Sequence, residues 1–156
     1  MAEGTVFSIN ISRSGVPKRP AASAWIGADG VEGDGHRNRQ LHGGPDRAVS
    51  LYSIDLIQAL RAEGHPVEPG SLAENLTLAG IDWSLMVPGA RVEVGPVLLE
   101  LTSYVHPCRN VSASFINGEF VRISQKVHPG WSRLYARVLE EGMVTPGLRA
   151  LVICDL

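Results

Sequence analysis

The sequence predicts a single, mainly β domain, and three observations carry that prediction. Seventeen glycines and ten prolines punctuate 156 residues. The apolar runs between them are short, as strands bounded by turns require. No period recurs and no low-complexity linker appears, so residues 1–156 read as one domain. Val6-Phe7-Ser8-Ile9-Asn10-Ile11 alternates as a first strand and stops at Ser14-Gly15-Val16-Pro17. Ala22 to Ile26 is a weaker second candidate and Ala48 to Tyr52 a compact third. Ser53 can cap a following helix: Asp55 complements its dipole, Ile54, Ile57 and Leu60 share one face, and Gly64 then His65-Pro66 end it. Arg91 to Val94 and Val97 to Thr102 flank Gly95-Pro96 as a hairpin or bent pair, and Arg149 to Ile153 forms a closing strand. One segment is ambiguous. Trp131, Leu134, Tyr135, Val138 and Leu139 have helical spacing, which favours a helix, yet Tyr135 to Leu139 before Glu140-Glu141-Gly142 also reads as a strand and turn.

A chain of this length buries roughly two-thirds of its unfolded surface without covalent staples. Fourteen basic and sixteen acidic residues leave a formal charge of −2, which offers no argument for nucleic acid or an anionic membrane as partner. Cys108 and Cys154 form no Cys-x-x-Cys and suggest no disulfide framework. There is no basic-then-apolar leader and no apolar run near the roughly 18 residues that span a bilayer, so a cytoplasmic location is expected.

The candidate chemistry centres on Cys108, a few residues past the strand that begins at Val97. A thiol acts as nucleophile or soft ligand when ionised, and a nearby cation with partial exposure favours that form. Arg109 and His106 offer such a neighbourhood; the alternative is a buried, inert thiol. Residues 33–47 are the densest polar stretch, with His36, Arg37, Arg39, His42 and Arg47 among closely spaced glycines. Glycines let backbone N–H groups approach a ligand, and guanidinium forks match phosphate and carboxylate. Lys18 and Arg19 could join this anion-binding loop. In an ordinary solvated loop the arginines would instead pair with Asp34 and Asp46. No Gly-x-x-x-x-Gly-Lys-Ser/Thr run is present, and two loop histidines do not establish a zinc site. Glu74 and Asn75 enter an apolar stretch, where buried polar groups need partners; Asn75 is the better ligand contact, Glu74 the better turn fixer.

Together these pieces resemble the MOSC domain, named for the C-terminal part of molybdenum cofactor sulfurases. The likeness rests on Gly30-Val31-Glu32-Gly33-Asp34 with His36, on His42-Gly43-Gly44-Pro45-Asp46-Arg47-Ala48-Val49, and on Glu74-Asn75-Leu76. Gly89 with Val94-Gly95, Pro107-Cys108, Tyr135-Ala136-Arg137-Val138 and Glu141-Gly142 extend it over nearly the whole chain. The resemblance implies a barrel-like β fold with a few short peripheral helices, and it turns residues 131–139 towards a strand. It also implies the molybdenum cofactor, with Cys108 as catalytic residue and metal ligand. Lys18, Arg37, Arg39 and Arg47 would clamp the cofactor's anionic end, and His36, His42 and Asn75 would complete the cofactor site. The reaction implied is oxo or electron transfer on a small N-hydroxylated or related substrate, with a separate electron donor. The alternatives are a sulfur carrier using a Cys108 persulfide, and a non-catalytic cofactor-holding module. Pyridoxal phosphate, which full sulfurases use, would come only through a partner such as a cysteine desulfurase. Ala73 stands where a glycine often precedes Glu-Asn, and Leu148 where Asp is frequent, which questions the backbone at both turns.

Overall fold

The computed structural model describes residues 2–13, 16–35 and 44–153. Its frame is a closed barrel of seven strands: β1 (Glu3–Ile11), β5 (Val49–Ser53), β6 (Leu76–Ala79), β7 (Arg91–Val94), β8 (Val97–Tyr104), β9 (Leu134–Glu140) and β11 (Arg149–Ile153). Around the barrel the order is β1-β6-β5-β9-β8-β7-β11, and β11 pairs back onto β1. Closure leaves these strands no free edge. β2 (Arg19–Ala21) adds outside β1, while β10 (Gly142–Val144), β3 (Ala24–Gly27) and β4 (Gly30–Val31) form a small second sheet. Ala24, Ile26, Val31 and Val144 of that sheet are buried, whereas Trp25 and its cross-strand partner Met143 face outwards.

The β5–β6 pair is parallel and needs a crossover, which helix α1 (Ile54–Ala62) begins. Ser53 caps it by accepting from Leu56 N at 3.2 Å, and Ile54, Ile57 and Leu60 are buried, as the sequence predicts. Every residue of β5 is buried, which suits a strand covered on both faces. The barrel interior is aliphatic, with Leu51, Leu76, Val92, Leu99, Leu134 and Ala136 fully enclosed. Among the described residues no helix is long and apolar enough to cross a membrane.

Residues 134–140 form a strand, not the helix that their spacing favours. Leu134 and Ala136 point inwards and pair with Leu51 and Val49 of β5, while β8 covers the other edge. Those pairings join residues distant in sequence, and a nine-residue window cannot register them. Past β8, three short 3₁₀ segments at Arg109–Ser114, Ile116–Gly118 and Phe120–Ile123 pack Val111, Phe115 and Ile123 onto the barrel.

Both departures from the family pattern keep their turns. Ala73 adopts φ +66, the left-handed conformation that a glycine would adopt freely. Leu148 packs against the core, and its carbonyl accepts from Val6 N at 2.8 Å.

Candidate functional site

β8 ends at Tyr104, and Val105 N then donates to Arg133 O at 3.0 Å, so the departing chain runs beside the start of β9. Cys108 follows in extended backbone (φ −140, ψ 178), capping the turn that begins at Arg109, and it is exposed. It lies at a cavity of about 100 Å³ whose apolar wall is Val16, Val105 and Val111. Three cations line the same cavity: Lys18, Arg47 and Arg133. Asn75, His106, Asn110 and Tyr135 supply its other polar groups.

Lys18 and Asp34 form a buried ion pair, with Nζ 2.7 and 2.6 Å from the two carboxylate oxygens. Asp34 also accepts from Ser12 N and from Asn75 Nδ2, both at 2.8 Å. Its carboxylate therefore ties β1, the segment before β2 and the approach to β6 together. Asn75 is the hub of this frame. Its amide also donates to Asn10 O at 3.3 Å, and its Oδ1 accepts from Ser50 N at 3.1 Å. Both amide hydrogens are thus engaged inside the fold. Gly70 lets the frame close: its φ is +86, and a Cβ there would meet Lys18 O at 2.2 Å.

Arg133 has a different environment. It is 5% exposed, donates from Nη1 to Leu72 O, and among the described residues leaves Nε without a partner. Burial pulls its pKa down, but a guanidinium starts so high that it stays charged near neutrality. Burial pushes the Tyr135 hydroxyl up, with Arg133 and Arg47 opposing, so it stays protonated near neutrality. Arg47 lies 5.3 Å from the Tyr135 ring centre. Behind the cavity Glu74 is fully buried: Oε2 accepts from Thr77 Oγ1 at 2.9 Å, and desolvation drives its pKa up.

The structure thus brings together five residues that the sequence singled out: Lys18, Arg47, Asn75, His106 and Cys108. His36, Arg37, Arg39 and His42 lie outside the described residues, as does Cys154. Arg109 is exposed and does not line the cavity; the buried guanidinium that shares the cavity with Cys108 is that of Arg133. Sequence reasoning missed Arg133 and Tyr135. Neither belongs to a glycine-rich or histidine-rich cluster, and the only signal was a charge set immediately before an apolar strand. Asp46 pairs with Arg137 at 2.8 Å, on the outside of the barrel.

Comparisons with known proteins agree with this architecture. A family profile described as the MOSC domain matches residues 38–149. The chain is 32% identical over 136 residues to YflK, an uncharacterized protein of Bacillus subtilis (strain 168), covering 86% of this chain and 61% of that protein. It is 32% identical over 130 residues to a protein named reductase from Gibberella moniliformis, covering 79% of this chain but 22% of that protein. This chain therefore spans less than two-thirds of either relative. Among solved structures, YiiM of Geobacillus stearothermophilus superposes with a TM-score of 0.73 at 22% identity, over 97% of this chain and 75% of that one. YuaD of Bacillus subtilis gives 0.73 at 17% identity, over 99% and 97%. The profile match spans more than half of the sequence, and the chain belongs to the MOSC domain family.

Proposed function

We propose that this chain binds the molybdenum cofactor through Cys108 and works as an oxidoreductase on small N-hydroxylated or related compounds. The observation that carries the reading is the placement of an accessible thiol on a cavity lined by Lys18, Arg47 and Arg133. The residues fit the group. A thiolate is a soft donor suited to such a metal, and a buried guanidinium with an unpartnered Nε suits an anionic ligand. The reductase name of one relative, and the family's association with this cofactor, favour redox chemistry.

When bound, the cofactor would supply two-electron oxo transfer at its metal. Cys108 would hold the metal, and Arg47 with the arginines of residues 37–39 would hold the anionic end. Lys18 already has its charge balanced by Asp34, so its part is to fix the cavity wall beside them. Asn75 acts the same way, since its amide hydrogens are engaged by Asn10 and Asp34. Val16, Val105 and Val111 would give the bound group one apolar wall. Electrons would come from a separate donor protein, and the setting we assign is the cytoplasm.

The exposure of Cys108 favours a second reading, a sulfur carrier. In it the Cys108 thiolate attacks the outer sulfur of a desulfurase persulfide, forming Cys108–S–S⁻ and releasing the donor thiolate.

Molybdenum and pterin content of protein purified from a cofactor-competent host tests the first reading. Wild type should carry both and Cys108→Ser should lose the metal. Replacing Arg37 and Arg47 together by Ala should lower cofactor occupancy. A Cys108→Ser protein with full molybdenum content would exclude the metal-ligand role. Thiol-releasable sulfur on Cys108 of metal-free protein would instead favour the carrier.

A further inference from the structure

We infer that Arg133, together with the Tyr135 hydroxyl, forms a receptor for one small oxyanion or carboxylate in the Cys108 cavity. The two buried cations of this cavity are treated differently by the fold. Lys18 is 8% exposed and fully matched by Asp34. Arg133 is 5% exposed, yet among the described residues no carboxylate lies within ion-pair distance of it. Among the described residues its one acceptor is Leu72 O, and Nε has none. Glu74 acts on it from a distance, but that carboxyl is itself pushed towards its neutral form by burial and leaves Oε1 unpartnered. Removing a guanidinium from water without a counter-charge is expensive, and a ligand that brings the missing negative charge offsets that cost.

The surroundings define the ligand. Tyr135 lines the same cavity and interacts electrostatically with Arg133 and Cys108, and burial keeps its hydroxyl a donor. Asn110 and His106 add polar groups near the thiol, while Ala73, Val105 and Val111 make the remaining wall apolar, which strengthens a charge-assisted hydrogen bond. A cavity of about 100 Å³ has room beside the thiol for an anion of a few heavy atoms. A guanidinium fork and a hydroxyl match the oxygens of a sulfate-like anion or a carboxylate. The inference names the substrate-side chemistry of the proposed site and rests on that reading only for the role of Cys108.

Calorimetric titration of the cofactor-free full chain with sulfate, and separately with acetate, at ionic strength held constant by chloride, is the test. One saturable anion per chain is expected. Affinity should fall by about tenfold or more in Arg133→Gln, which loses the charge-assisted bonds, and by a smaller factor in Tyr135→Phe. Saturating sulfate should also slow alkylation of Cys108 by uncharged iodoacetamide, read by mass spectrometry, in wild type but not in Arg133→Gln. Absence of saturable binding to wild type, or unchanged affinity in a folded Arg133→Gln, overturns the receptor. If that variant does not fold, the wild-type titration and Tyr135→Phe decide, and unchanged affinity in Tyr135→Phe then overturns it. Sulfate that still binds molybdenum-loaded protein assigns the receptor to a substrate anion; sulfate displaced by loading assigns it to an anion of the cofactor. Metal content that ignores Cys108→Ser while sulfate binding still needs Arg133 would remove the cofactor reading and leave the receptor standing.

Discussion

Ala73 holds a backbone conformation that costs an alanine about 1–2 kcal/mol and a glycine almost nothing. It does so because its neighbours fix it: Ala73 O accepts from Ser50 Oγ at 3.0 Å, Ala73 N donates to Gly70 O at 3.1 Å, and the two residues after it are locked in the buried polar frame. Ala73 also lines the Cys108 cavity, so the strained residue stands at the site. Replacing Ala73 by Gly relieves the strain but returns some backbone entropy to the unfolded chain, which offsets part of the gain. The expected result is a net stabilisation of about 0.5–1 kcal/mol, or roughly 2 °C in Tm for a domain of this size. Thermal unfolding of Ala73→Gly beside wild type measures it, and a lower Tm would show that the added methyl contributes packing worth more than the strain.

At the scale of elements, the parallel β5–β6 pair places the polar frame, and α1 makes that pair possible. Ser53 closes the first turn of α1 by accepting from Leu56 N, so Ser53→Ala should cost about 1 kcal/mol, read as a shift in urea midpoint with an unchanged slope. A loss well below that, with the helix intact, would mean that burial of Ile54, Ile57 and Leu60 alone fixes its start. This helix was legible in the sequence because its cap, its apolar face and its stop signals all lie between Ser53 and Pro66. β1, β5, the β7–β8 hairpin and β11 were legible for the same local reason, as alternating or compact apolar runs bounded by turn residues. β9 was not, since Trp131, Leu134, Tyr135 and Val138 satisfy a helical period and only pairing with β5 and β8 decides against it. The site divides along the same line. Cys108 and Asn75 stand in distinctive local strings, whereas Arg133 gains its meaning from Leu72, Tyr135 and Cys108, which the sequence leaves far away or unremarked.

The whole molecule is a small barrel that encloses several ionisable groups: the Lys18–Asp34 pair, Arg133 and Glu74. A natural domain keeps such groups where a site requires them, at some cost in stability. Glu74 makes part of that cost measurable through pH. Desolvation raises its carboxyl pKa above the ordinary carboxylate value, opposed by its hydrogen bonds, including that from Thr77, and by Arg133. Between the unfolded and folded values the native chain therefore binds a proton that the unfolded chain has released. Stability from this group is fully present below the unfolded value, about pH 4.3, and falls as pH rises towards the folded value, because there the unfolded state binds fewer protons. Glu74→Gln keeps an oxygen to accept from Thr77 Oγ1 and cannot ionise. Its denaturant stability should fall less than that of wild type as pH rises above the unfolded value, the gap growing until the folded value is passed. Parallel curves for the two proteins would mean that Glu74 is ionised in the native state throughout, held so by Arg133. In that case the positive charge beside Cys108 is already matched from within, and sulfate binding should be weak in wild type and stronger in Glu74→Gln.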